Sequence, residues 1–374
     1  MKIEKINDIE FFNRESETTR ITNILKFKPR LITFIYGPIN SGKTSLIENF
    51  IEKPNEDHII FYINLRGKFI SDYRDFIKVL FTIEEKGILN KIKNIFKKNL
   101  KSLGAAGEKT FYKAKGIPVD ASLLETFFKE KAHEDVFNYL EEYFKTLTKH
   151  KTPILIIDEL QVIGDLKIND YLIYKLFNFF IRLTKELHLC HVFALSSDSL
   201  FIEKVYSEAM LQERCNYLLI DEFDKKTTYK FLEKYNFTNE EKELTWQYFR
   251  GKPTHLATAI LAKIGGERIE ETVLTTVRIR KGEIRTALNR VEQLSAEVSI
   301  EDKIYQVDYS ALIDTLNKFL EKDLINASEI DEITKTHLVK KNILFVDPVL
   351  DIIKPQSKID LIAIREVLKE IKVE

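Results

Sequence analysis

The sequence predicts an α/β protein: a parallel sheet with helices on both faces, followed by a helical lid and a winged helix. Three observations predict this. Short β-branched runs, apolar on both faces, alternate with helical periodicities through the first part of the chain, as strands of a covered parallel sheet do. After about residue 222 the pattern becomes helical only. From about 296 two helical stretches precede a hairpin-like pair of strands, the order of a helix-turn-helix with an added ribbon. The expected units are 1–222, 223–295 and 296–374.

At 374 residues the chain is too long for one compact core. Apolar residues at 44% and charged residues at 31% give a globular composition rather than a disordered one. The 58 Lys+Arg and 58 Asp+Glu cancel, so the total charge points to neither nucleic acid nor a membrane surface. Cys190 and Cys215 lie in no Cys-x-x-Cys or Cys/His spacing, which argues against zinc or a disulfide framework. The first residues lack a signal peptide's apolar core, and no run of about 18 apolar residues occurs, so a cytoplasmic chain without a membrane span is expected.

Taken in order, "RLITFIYG" (30–37), "HIIFYINLRG" (58–67), "TPILIIDE" (152–159), "LCHVFALSS" (189–197) and "YLLIDEF" (217–223) read as strands. Residues 86–115 carry nine lysines and one acid and read as an insertion containing an amphipathic helix. In the lid, "TNEEKELTWQYFRG" has Thr238 or Asn239 as N-cap and Gly251 as its stop. In the last unit, "SEIDEITKTHLVKKN" is the candidate recognition helix and "ILFVDPVLDIIKP" the hairpin.

The chemistry is concentrated in "GPINSGKT", a full match to G-x-x-x-x-G-K-[ST] between a strand and a helix. Gly37 and Gly42 permit a tight turn, and in the loop Pro38-Ile39-Asn40-Ser41 the backbone N–H groups, which Pro38 lacks, face inward to form an anion cradle at a helix N-terminus. Lys43 is placed to bridge β- and γ-phosphates, Thr44 to ligate Mg²⁺, and Ser45 stands where the helix leaves the site. "ILIIDE" supplies two acids at the end of a buried strand, where ligands of open parallel sheets bind. Asp158 is expected to hold the metal and Glu159 to orient the attacking water. Ser197, in "SSDS", either senses the γ-phosphate or simply caps a turn.

These motifs resemble the archaeal ATPases of the STAND class, within the AAA+-like P-loop proteins. The resemblance runs from "FFNRESE" through the phosphate loop, "FYINLRG", "ILIIDELQ", "FALSSDS" and "FRGKPTHL" to "LVKKNILFVDPVLDIIKPQS", nearly the whole chain. It implies an ATP or ADP site with magnesium. It places Arg14 near the adenine and ribose end and Pro253 as a lid contact on the nucleotide. Arg214 falls where related ATPases carry a finger arginine, in its own subunit or a neighbour's; a surface ion pair is the alternative. Arg66 ends a strand on the same edge, within reach of a γ-phosphate. Arg250 stands where the family often has a glycine.

Two functions follow: a slow ATP-hydrolysing switch that moves lid and winged helix, or an ATP-dependent DNA-binding protein. For the second, Lys335, Lys340 and Lys341 would meet phosphates. Residues 296–374 carry eleven Lys/Arg against sixteen Asp/Glu, however, which is not the basic footprint of a DNA reader. The basic stretches lie at 86–115 and in "RIRKGEIR" (278–285), so the winged helix is expected to bind DNA or a protein client, or to pack on the lid and hold the ATPase closed. The oligomeric state is left open.

Overall fold

The computed structural model describes residues 9, 11–53, 57–83, 113–114, 116–119, 124, 127–128, 133–166 and 172–371. Of the lysine-rich insertion only Lys113–Ala114 fall within these, and the helix expected there lies outside the described residues. The first unit contains β1 (Ile32–Tyr36), β2 (His58–Asn64), β3 (Phe81–Ile83), β4 (Lys113–Ala114), β5 (Ile117–Val119), β6 (Thr152–Asp158), β7 (His191–Ser196) and β8 (Cys215–Leu219). Six of them form one parallel sheet in the order β4-β2-β6-β7-β1-β8, while β3 and β5 pair separately. β1 and β7 are buried along their whole length because helices cover both faces.

Alternation along the strands divides the core. Phe34, Phe61 and Ile157 face a cluster with Phe177, while Ile35, Ile60 and Ile156 face Leu46 and Ile47 of the helix Lys43–Glu52. β8 ends earlier than the sequence suggests. It pairs only with β1, whose last residue, Tyr36, accepts a hydrogen bond from Ile220 N–H (2.7 Å); beyond Gly37 there is no strand left to pair with. Asp221–Phe223 therefore become the linker into the lid. Gly37 is required here, since a Cβ would lie 2.1 Å from the Ile220 carbonyl oxygen.

The lid helices are Lys225–Glu233, Asn239–Phe249 and Pro253–Ile264. Thr238 caps the second through a reciprocal capping box with Glu241. Arg250, at the position where glycine was expected, has φ 50° and lays its guanidinium over Trp246. Gly251 is fixed by proximity: a Cβ would lie 1.9 Å from the Phe223 carbonyl oxygen. The 26-residue helix Ile269–Leu294 belongs to two cores. Ile269, Val273 and Val277 pack in the lid, and Ile284, Leu288 and Val291 pack in the C-terminal unit.

That last unit has the winged-helix order. Helix Tyr309–Asn317, β11 (Ile325–Asn326), helix Glu332–Lys340, β12 (Leu344–Asp347), β13 (Ile352–Pro355) and helix Lys358–Ile371 surround a sheet ordered β11-β13-β12. The sequence reading missed the hairpin of β9 (Glu297–Ile300) and β10 (Lys303–Gln306) that precedes them. Its turn residues Glu301 and Asp302 both have positive φ, a role for which Asn-Gly is the usual signal. Among the described residues no helix is long and apolar enough to cross a membrane.

The C-terminal unit is docked on the ATPase core. The recognition-helix candidate Glu332–Lys340 is largely buried and packs beside helix Ser199–Ser207; Lys335 Nζ lies 2.8 Å from Glu203 Oε1. Tyr36 donates to Asp347 (2.8 Å), Val346 N–H to Ser199 Oγ (3.2 Å), and Lys354 pairs with Asp221. Lys335 is thus not available to phosphates as expected. In "RIRKGEIR", Arg280 pairs with Asp360, and Lys281 and Arg285 pair with Glu370, so most of that basic stretch is spent on internal ion pairs.

Glu222, in the linker, sits among Lys252, Asp221, Lys354 and Asp360. Burial raises its carboxyl to about 7, and Lys252 only partly offsets this. A carboxyl raised above its unfolded value contributes stability that is present below about pH 4.5 and lost as pH rises through about 7. Glu222→Gln should therefore match the parent's melting temperature near pH 4.5 and exceed it at pH 8, by roughly 1–3 kcal/mol of unfolding free energy. Calorimetry across that range checks it; a constant difference removes Glu222 as the source.

Candidate nucleotide-binding site

The residues that follow β1, β2 and β7 face the N-terminus of the lid helix Pro253–Ile264 across a cavity of about 660 Å³. Ile39, Asn40, Ser41, Gly42, Lys43, Thr44 and Ser45 line one side. Gly37 and Pro38 stand behind them and offer their carbonyls to Lys43 Nζ, each at 2.9 Å. The ammonium is buried, and burial together with nearby Lys252 pushes its pKa down to about 7. The Ser41 hydroxyl is buried with no protein partner. A loop with desolvated cationic and hydroxyl groups facing a cavity is suited to a polyanion.

Thr44 Oγ1 and Tyr62 OH both donate to Asp158 Oδ2, at 3.0 and 2.9 Å. The Glu159 amide donates to Asp158 Oδ1 (2.9 Å). Burial raises the Asp158 carboxyl, and the bonds from Tyr62 and Thr44 partly offset it. Thr44 and Asp158 form an all-oxygen pair beside the loop, the donor chemistry that Mg²⁺ prefers, and are the residues that would hold it.

Glu159 has φ 61°, which turns its side chain out of the strand line. Oε1 accepts from Arg66 and from Ser197 Oγ (3.1 Å), and Oε2 accepts from Gln161. Burial pushes its carboxyl up, but the bonds from Arg66, Gln161 and Ser197 prevail and the net shift is downward. The two adjacent acids are thus perturbed in opposite directions. Asp198, next to Ser197, caps helix Ser199–Ser207 through bonds from Leu200 and Phe201 amides.

Arg14 has φ 79° and is buried, with Nη2 donating to the Ser41 and Asp221 carbonyls at 2.7 Å each. It stacks over Phe223, bracing loop to linker while also lining the cavity. The far end of the cavity is apolar, with Phe11, Phe12, Phe223, Phe231 and Ala257, and Phe12 stacks on Phe231. A flat base fits between such side chains. Pro253 closes over the loop, 3.9 Å from the position of a Cβ on Gly42, and Thr254 Oγ1 reaches the Asn40 carbonyl (3.4 Å).

Arg214 is the one expected site residue that the fold does not bring here. Its carbonyl accepts from Ile32 N–H at the start of β1, and Nη1 donates to Met210 O (2.7 Å), at the opposite end of the sheet from the phosphate loop. Arg214 therefore stands away from the phosphate loop of its own subunit. Three further polar residues join the site without having been singled out: Tyr62, Gln161 and Gln356. Gln356 Oε1 accepts from the Ile39 amide (3.1 Å), and its carbonyl accepts from Lys252 Nζ (2.7 Å). Tyr62 and Gln161 flank recognised motifs, but Gln356 is 317 residues from its partner and carries no local signal.

Fold, loop and acid-tipped strand define a P-loop ATPase. The chain belongs to the family described as "ATPase domain predominantly from Archaea", which matches residues 11–259; residues 270–368 match the C-terminal domain of MJ1010-like ATP-binding proteins. It is 47% identical over 371 residues to the uncharacterized ATP-binding protein MJ1659 of Methanocaldococcus jannaschii, covering 98% of this chain and 99% of that one. It is 42% identical to the ATP-binding protein PYRAB09480 of Pyrococcus abyssi, covering 96% and 98%. In fold it is similar to the Walker-type ATPase PABY2304 of Pyrococcus abyssi, with TM-score 0.61, 17% identity and coverage of 95% and 96%.

Replacing Lys43 by Ala should weaken both ADP and ATP about 10- to 150-fold, the range for a lost hydrogen bond to a charged group. Isothermal titration checks it, and unchanged affinity would show that the loop is not the phosphate site.

Proposed function

We propose that the protein is a slow, Mg²⁺-dependent ATP-hydrolysing switch whose C-terminal unit reads the phosphate loop directly. The observation that carries this is the Ile39–Gln356–Lys252 junction. A loop amide of the kind that binds phosphate, a side chain of the C-terminal unit and a lid lysine meet at one residue. Any nucleotide that turns the Ile39 amide toward phosphate competes with Gln356 for it. Binding then favours undocking by the difference in its affinity for the two arrangements.

In the chemical step Glu159 orients and polarises a water that attacks the γ-phosphorus as the bond to the β-phosphate oxygen breaks, giving ADP and phosphate. Lys43 stabilises charge on the β- and γ-oxygens, while lid and aromatic wall exclude bulk water. Magnesium, when bound at Thr44 and Asp158, supplies charge neutralisation. An arginine finger, if one operates, would be Arg214 of a neighbouring subunit. A cytoplasmic location is part of the same reading. The DNA-binding alternative draws less support, because its recognition helix is occluded and Lys335 is held by Glu203.

Gln356→Ala should raise basal ATP turnover about three- to tenfold and speed tryptic release of the C-terminal unit, a scale that follows from losing roughly one hydrogen bond of docking energy. If neither rate changes, the junction is not a brake. Glu159→Gln should keep nucleotide binding and lower turnover by roughly two or more orders of magnitude.

A further inference from the structure

The end of the sheet remote from the phosphate loop carries a cationic face with an exposed aromatic ring. Helix Glu15–Leu25 leads into β1 through residues 26–31, and that connection is held by its carbonyls. His58, His191 and His188 donate to the Leu25, Phe27 and Pro29 carbonyls, the last at 2.6 Å. While the backbone is held at alternate residues, the side chains of Lys26, Phe27, Lys28 and Arg30 stand in solvent, Phe27 with 69% of its surface exposed. Neighbouring strand starts add charge. Arg214 precedes β8, and its carbonyl accepts from Ile32 N–H, two residues after Arg30; Lys149 and Lys151 precede β6. The starts of β6 and β8 are three strand spacings apart, about 14 Å.

Among the described residues none of these six cations has an acid partner; Lys26 bonds Asn23, and Arg214 bonds the Met210 carbonyl. Asp57, Glu186 and Glu213 lie at the same end, and Glu186 is taken by Arg182. The contrast is with residues 278–285, whose cations are answered by Asp360 and Glu370. Unpaired cations spread over one face attract a polyanion, and an exposed ring among them offers a surface on which a base can stack. We propose that this face binds single-stranded nucleic acid, with Phe27 stacking on a base while Lys28, Arg30 and their neighbours meet phosphates. A duplex keeps its bases stacked on one another and leaves the ring unused, and one ring is little apolar surface for a membrane. The ATP site is at the other end of the sheet, so this inference goes beyond the ATPase reading and does not depend on it.

The test is fluorescence anisotropy of a labelled single strand of about 20 nucleotides with the full chain, in about 50 to 200 mM salt. Affinity should fall with salt at a log–log slope of about −3, the value for roughly four phosphates on a single strand. Lys28→Glu combined with Arg30→Glu should weaken binding about tenfold or more. Phe27→Ala should weaken the single strand about fivefold or more and leave the duplex of the same length within about twofold. ADP binding by calorimetry should be unchanged in each variant, which reports on folding. No binding at the lowest salt, equal losses for duplex and single strand on Phe27→Ala, or binding that ignores all three substitutions would each overturn the proposal. Competition by polyglutamate or anionic vesicles as effective as by unlabelled strand would overturn it too, since the face would then recognise charge alone.

Discussion

Two buried ammonium groups govern this molecule. Lys43 and Lys252 are 6% and 4% exposed, burial lowers both, and Lys252 lowers Lys43 further. Removing a cation from water costs several kcal/mol unless partners replace the lost hydration. Here the replacements are carbonyls: Gly37 and Pro38 for Lys43, Gln356 for Lys252. Carbonyl dipoles satisfy hydrogen bonds without neutralising charge. The acids beside Lys43 are themselves committed, Asp158 to Thr44 and Tyr62, Glu159 to Arg66, Gln161 and Ser197, while Lys252 has Glu222, Asp360 and Asp221 around it. A cavity lined by buried Lys43, whose neighbouring acids are occupied, favours a polyanion, while Lys252 ties the lid to Gln356 behind the loop.

How much of this could be read in advance depended on sequence distance. The phosphate loop was legible because every part of it is local: one strand, eight residues and one helix, each with its own steric reason. Asp158 and Glu159 were legible because two acids after four buried aliphatics need a cation to offset them. Gln356 was not, since its importance comes from a contact that only tertiary folding makes. Arg214 misled for the converse reason. It belongs to a segment leading into β8, and nothing local says that the residue opens the strand at the far end of the sheet rather than closing it near the loop. The charged stretch 278–285 misled through composition, because Asp360 and Glu370, which answer its cations, lie some eighty residues on.

The recognition helix shows the same limit in another form. Its sequence has the alternation and terminal lysines of a nucleic-acid reader, yet Thr334 to Val339 are buried, and the acid that meets Lys335 belongs to the ATPase core. Helix Glu332–Lys340 therefore has a surface that looks functional and is occupied by its own chain.

The helix Ile269–Leu294 determines how such a change would travel. Twenty-six residues span about 39 Å, and its two halves are packed into different cores, so lid and C-terminal unit cannot move independently while it stays straight. Its last lid residue is Val277 and its first C-terminal one Ile284; between them lies Gly282, with open space where a Cβ would be. Glycine costs about 1 kcal/mol of helix propensity relative to alanine, and nothing packs against it here to repay that. Arg280, Lys281 and Arg285 brace the helix on either side of it to Lys358–Ile371, Arg280 through a buried pair with Asp360 and the other two through a partly exposed Glu370. A helix weakened at Gly282 between two packed halves would bend there first if the lid tilted, with the C-terminal unit held meanwhile by the Gln356 contacts to Ile39 and Lys252.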